Sequence, residues 1–203
     1  VHNNLGVTLK DLGQLDNSIK SFKKALAIKP DYAQAHNNLG VAFQELGQLV
    51  AAVKSYEKAL AIKLDFTDAY YNLGVTLQEL GQLDAAVKSY EKAVAIEPDY
   101  PQAHNNLGIV HQERGQIDDA VKQYEKAVAI KLDYAEAYHN LSTLKKYTAN
   151  DSQITQMQSL LSTNNLSQSD HIHLCFALAK VNENLGNQDE YFKFLHEGNR
   201  LRK

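Results

Sequence analysis

Between residues 33 and 66 apolar side chains recur at helical spacing in two successive runs. Ala35, His36, Leu39, Phe43 and Leu46 share one face of the first run. Ala52, Val53, Tyr56, Ala59, Leu60 and Ile62 share one face of the second. A Gly-Gln step separates them, and glycine closes a helix because it tolerates the left-handed conformation. The design recurs along the chain. Gly6, Gly40, Gly74 and Gly108 lie 34 residues apart, as do Gly13, Gly47, Gly81 and Gly115. Each unit therefore predicts two antiparallel helices followed by a short Asp-Tyr or Asp-Phe link. Gly40, Ala52 and Ala59 are small enough to let the two helices approach closely. A lone pair leaves its apolar face uncovered, so pairs must stack on their neighbours.

Leu39-Gly40, the aromatic Phe43, Ala52, Tyr56, Ala59 and the prolines Pro30 and Pro98 after second helices resemble the tetratricopeptide repeat. The resemblance implies an all-α fold, a right-handed superhelical solenoid of antiparallel helix pairs. Four units follow the pattern, at 1–32, 33–66, 67–100 and 101–134. A diverged fifth unit is expected over 135–171 and a diverged sixth over 172–203, all in one continuous solenoid. His36, His104, Tyr70 and Tyr138 stand where the family favours Trp. Leu64 and Leu132 replace proline in alternate units, as duplication of a two-repeat block would leave them. Val50 replaces the acidic residue found at Asp16, Asp84 and Asp118, which leaves its helix without an N-terminal charge partner. After Ser142 the register fails, although Ile154, Met157, Leu160 and Leu161 keep helical spacing. In the sixth unit Leu178, Leu185-Gly186, Phe192 and Leu195 resume the pattern, and Tyr191 fills a position that is small elsewhere and should crowd the pair.

One polar position is constant through five units: Asn4, Asn38, Asn72, Asn106 and Asn140. Its predecessor varies, as Asn3, Asn37, Tyr71, Asn105 and His139. Asparagine is a mediocre helix former, so the column calls for a reason. A helical wheel sets Gln34, Asn37, Asn38, Val41, Gln44 and Glu45 opposite the packed face. The resemblance implies that this face lines a concave groove. It would hold the asparagines with Tyr71, an apolar stripe of Val7, Val41, Val75 and Ile109, and Gln44, Gln78 and Gln112. Adjacent first helices about 8–10 Å apart would present one amide to roughly every third residue of an extended peptide. An amide matches a backbone C=O and N–H together. The column is similar to the asparagine ladder of the O-linked N-acetylglucosamine transferase repeats, which grips substrate backbone. A structural alternative uses the same residue for hydrogen bonds between neighbouring helices. Chaperone-binding members of the family clamp a terminal carboxylate with lysine, but none stands at these positions, and Glu45, Glu79 and Glu113 would repel an acidic tail. The expected partner is a protein or peptide with some apolar and some basic character.

Composition narrows the function further. With 21 Lys and Arg against 24 Asp and Glu, interspersed, the chain has a formal net charge of -3 and no basic patch for nucleic acid. No apolar run reaches the ~20 residues of a membrane span, and no secretory signal opens the chain. The single Cys175, in an apolar helix, is expected in the core and suits a cytoplasmic, reducing setting. His36 and His104 stand two repeats apart, too far to share a metal ion. His104 and His111 fall on the core face, and His171 and His173 point to different faces of one helix. No phosphate loop and no nucleophile–base scaffold is visible. Neither enzyme activity nor a cofactor is therefore expected. Asn140 and Asn165 each begin an Asn-Leu-Ser glycosylation pattern. The chain begins within a first helix and reads as a fragment. Residues 140–203, through "HLCFAL", "LGN" and "EGNRL", resemble the segment joining repeats to a sulfotransferase domain in certain bacterial proteins. Three roles stay open: a peptide-binding module, the recognition arm of a larger transferase, and a scaffold self-associating through uncapped ends.

Overall fold

A computed structural model describes residues 1–163 and 166–203. It is all-helical, with twelve helices among the described residues, and divides into two compact units, Val1–Asp99 and Tyr100–Lys203. Asn165, the second of the glycosylation patterns, lies outside the described residues.

The first unit holds three helix pairs: α1 (His2–Asp11) with α2 (Leu15–Ile28), α3 (Ala33–Glu45) with α4 (Leu49–Ile62), and α5 (Thr67–Glu79) with α6 (Leu83–Ile96). The α3–α4 turn shows how the Gly-Gln step works. Gly47 sits at φ +75°, its N–H donates to the Gln44 carbonyl at 2.8 Å, and the Gln48 N–H donates to the Phe43 carbonyl at 2.8 Å. These two hydrogen bonds satisfy two of the last carbonyls of α3 in the left-handed closure that glycine adopts most easily. Within the pair, a Cβ added at Gly40 would lie 2.5 Å from Cε1 of Tyr56, so only glycine lets that ring cross the first helix. Phe22 and Tyr90 cross Gly6 and Gly74 in the same way. Phe22, Tyr56 and Tyr90 are fully buried. As expected, α4 has no acidic residue in its first turn. Ile62 departs from the pattern: it is 41% exposed, because the last residue of α4 borders an open groove rather than a neighbouring helix.

The second unit begins with one more such pair, α7 (Pro101–Glu113) and α8 (Ile117–Ile130), followed by α9 (Ala135–Leu144). The chain then leaves the repeat. Lys145 turns extended at ψ 134°, and the α10 helix (Ser152–Leu161) starts only after Asp151 caps it by accepting from the Gln153 N–H at 3.1 Å. Lys145 Nζ holds the break together through Glu125 at 3.2 Å and Asp151 at 3.0 Å. The core partner of α9 is the long helix α11 (Gln168–Leu185). Tyr138 and Leu141 of α9 join Met157 of α10 and Leu174, Leu178 and Val181 of α11 in one cluster. Helix α12 (Gln188–Arg202) closes the unit. Two details of its sequence reading need correction. Phe192 is 51% exposed, and Tyr191 turns against it with ring centroids 4.9 Å apart instead of crowding the pair. The reason is register: α12 packs through Phe194 and Gly198, one turn apart, and residue 192 lies about 200° round the helix from 194. Cys175 is buried, and burial pushes its thiol up to about 11.

Candidate functional site

Side chains of successive first helices meet at a register of 35 residues, one more than the repeat. In the first unit Asn38 Nδ2 donates to Asn3 Oδ1 at 3.2 Å, and Asn72 Nδ2 donates to Asn37 Oδ1 at 3.2 Å. In the second, Asn140 Nδ2 donates to Asn105 Oδ1 at 3.1 Å. The two asparagines of each doublet thus have different jobs. At Asn38, Asn72 and Asn140 the constant one donates to the repeat before it, and at Asn3, Asn37 and Asn105 the variable one accepts from the repeat after it. Helical propensity is overridden because the amide links neighbouring pairs.

The wheel misplaces the acceptors. Asn37 is 4% exposed and Asn105 is fully buried, so neither stands open on the face where both were expected. Asn105 also donates to Glu136 at 3.4 Å. Close approach of the next first helix covers them. The donors Asn38, Asn72 and Asn140 remain half-buried, as does Asn106, and Asn4 is exposed. Asn38 further accepts from Gln34 Nε2 at 3.0 Å. Val41, Val75 and Ile109 are half-buried, and Ile109 leans on the core of its unit. Tyr71 is half-buried, with its ring 6.0 Å from that of Tyr90.

A second column runs at the far end of the first helices. Gln44 accepts from the Tyr56 hydroxyl at 3.0 Å and donates to Glu79 at 2.8 Å. Gln78 accepts from Tyr90 at 3.1 Å, and Gln112 accepts from Tyr124 at 2.9 Å. Burial raises the phenol pKa of Tyr56 and Tyr124 well above its ordinary value, so both stay donors. At the matching position of the first pair stands Lys10, which has no acceptor and donates to Glu45 at 3.3 Å. The aromatic there is Phe22, with no hydroxyl to satisfy. This pairing of Gln with Tyr and Lys with Phe is visible in the sequence, but a groove-lining role for the glutamines does not account for it.

His36, His104 and His111 serve packing. His36 Nε2 meets the Pro30 carbonyl at 2.9 Å, His104 Nδ1 meets Gln123 Oε1 at 2.7 Å, and His111 Nδ1 meets Gln116 Oε1 at 2.9 Å. Among the described residues no three ligating side chains gather into a metal site, and no helix is long and apolar enough to cross a membrane.

The TPR repeat family model matches residues 6–47, 45–81, 78–115 and 112–142, more than half of the chain. No curated protein matches. Among solved structures the chain is similar to PilF of Pseudomonas aeruginosa, at 19% identity and a TM-score of 0.76, over 98% of this chain and 90% of that one. It is also similar to MamA, at 24% identity and a TM-score of 0.69, over 82% of this chain and 94% of that one. A third is YrrB, described as a TPR protein with an unusual peptide-binding site, at 21% identity and a TM-score of 0.64, over 87% and 89%. At these identities the likeness is one of fold.

Proposed function

Because the chain belongs to the tetratricopeptide-repeat family, we propose that it is a non-enzymatic protein-interaction module whose first-helix faces bind extended peptide segments. One observation carries the reading: Asn38, Asn72 and Asn140 remain half-exposed after their bonds between helices are made. A carboxamide offers two N–H donors and two acceptor lone pairs. Asn38 and Asn72 each commit one N–H to the preceding repeat, which fixes the amide plane and leaves the other N–H for a peptide carbonyl. Asn37 acts from behind, as the acceptor that aims its neighbour. Val41 and Val75 stand one turn further along α3 and α5 and take an apolar side chain, while Tyr71 offers an aromatic surface. In the second unit Asn140 commits one N–H to Asn105 in the same way, and Ile109 stands one turn beyond Asn106 on α7. The peptide-binding site described for YrrB gives the fold a precedent.

A peptide array on the purified chain finds a ligand, and fluorescence anisotropy then compares variants. Asn38→Ala with Asn72→Ala is expected to weaken that ligand by about tenfold, the equivalent of ~1.4 kcal/mol. It should also lower stability by ~1–3 kcal/mol, since two inter-helix hydrogen bonds at ~0.5–1.5 kcal/mol each are lost. Lower stability with undiminished capture by the folded variant makes the column purely structural and overturns the proposal.

A further inference from the structure

The first unit carries an open groove of about 760 Å³ on its second-helix side, between α2 and α4. That volume is within the ~300–1,000 Å³ range of ligand sites. Its floor is the packed face of α3, with His36, Leu39 and Phe43, and its walls include Ala27 and Ala61. Asn38 and Val41 lie elsewhere on α3, so this groove is distinct from the peptide face above. Lys23, Lys54 and Lys58 line it, and no acidic side chain does.

The opening follows from side-chain size. In the second unit Gln123 of α8 reaches over to His104. The residue at that register in α4 is Ser55, whose hydroxyl folds back to the Ala51 carbonyl at 2.8 Å. It leaves the space uncovered, and His36 Nδ1 stays buried without a partner. One repeat further, a smaller groove lined by Tyr70, Lys88, Glu91 and Lys92 has an acid among its bases. The register position of Lys23 is there occupied by Glu57. A purely basic rim over an apolar floor is thus a property of the α2–α4 groove and not of its neighbour.

We propose that this groove binds an extended acidic peptide in which carboxylates alternate with bulky apolar side chains. Lys54 and Lys58 are one turn apart on one wall, a rise of ~6 Å. Alternate residues of an extended strand are ~6.6 Å apart and share a face. Two carboxylates at that spacing meet the two ammonium groups, and the residue between them points to Leu39 and Phe43. Lys23, whose Nζ lies 5.7 Å from the Phe43 ring centroid, completes the rim from α2. From Ala51 to Ile62 the α4 wall runs ~16 Å, the length of about five extended residues.

A fluorescein-labelled hexapeptide alternating glutamate with leucine or phenylalanine tests the assignment by anisotropy. Saturable binding is expected, weakening as salt rises. Lys54→Glu with Lys58→Glu should reduce affinity at least tenfold. Lys20→Glu with Lys24→Glu, the same charge change on the exposed part of α2 outside the groove, should reduce it less than threefold. Ala61→Trp, which fills the groove without changing charge, should also reduce it at least tenfold. Equal loss in the two charge-reversed chains, or full binding by the Ala61→Trp chain, overturns the proposal. So does equal binding of the hexapeptide with lysine in place of glutamate. Displacement of the probe by decanoate at lower concentration than by unlabelled peptide assigns the groove to a fatty acid instead. A groove closed by dimerisation, seen in sedimentation as loss of monomer with loss of probe binding, assigns it to a second copy.

Discussion

The pairs α3–α4 and α11–α12 solve one packing problem in opposite senses. In the first, glycine is on the leading helix and the aromatic on the returning one: a Cβ at Gly40 would meet the Tyr56 ring at 2.5 Å. In the second the roles are exchanged, with Gly198 on the returning helix facing Phe176 at 3.0 Å. The rings differ in how they are held. Tyr56 is fully buried and tethered through its hydroxyl to Gln44. Phe176 is half-buried, has no polar tether, and rests 6.1 Å from the His139 ring. Close helix approach therefore needs a small residue against a ring, on either helix. Rigidity needs the ring to be locked as well. Truncation breaks this comparison most severely. Tyr56→Ala is expected to cost ~3–5 kcal/mol, and Phe176→Ala only ~1–2 kcal/mol because less area leaves the core. Urea midpoints by circular dichroism measure both.

Adding a methyl group tests the same contrast from the other side. Alanine favours a helix over glycine by ~1 kcal/mol. At Gly40 this gain is outweighed by overpacking of ~1–3 kcal/mol, since Tyr56 has no room to retreat. Gly40→Ala should lower the melting temperature. At Gly198 the half-buried ring can give by a few tenths of an ångström, so Gly198→Ala should be neutral or stabilising. A destabilised Gly198→Ala chain would show that Phe176 is locked as firmly as Tyr56.

The regular pairs were legible in the sequence because one signal repeats four times. Periodicity, the Gly-Gln turn and the Gly40–Tyr56 spacing all agree on the same helices. The final hairpin was less legible. With a single copy, the repeat pattern falls on Phe192, whereas the packing residues are Phe194 and Gly198. The asparagine column was legible as a column but not as a bond, because a single-helix wheel contains no neighbour. Only the 35-residue register between helices shows why Asn37 is buried and Asn38 is not. That register stands in the sequence too, as the Asn doublet spaced by 34, once the second residue of one repeat is paired with the first of the repeat before.

The tether itself supplies the smallest and most specific test. The chain already contains both versions: Tyr56 with Gln44, and Phe22 with Lys10. Tyr56→Phe alone should cost ~0.5–1.5 kcal/mol, the net worth of one hydrogen bond. Gln44→Lys alone should cost ~1–3 kcal/mol, because the buried hydroxyl loses its amide acceptor. Lysine at 44 can still reach Glu79, as Lys10 reaches Glu45. The double variant then reproduces the first pair inside the second and should recover about 1 kcal/mol relative to the sum of the single changes. Strict additivity would mean that the hydroxyl–amide bond does not hold the ring, and that Tyr56 resists displacement through packing alone.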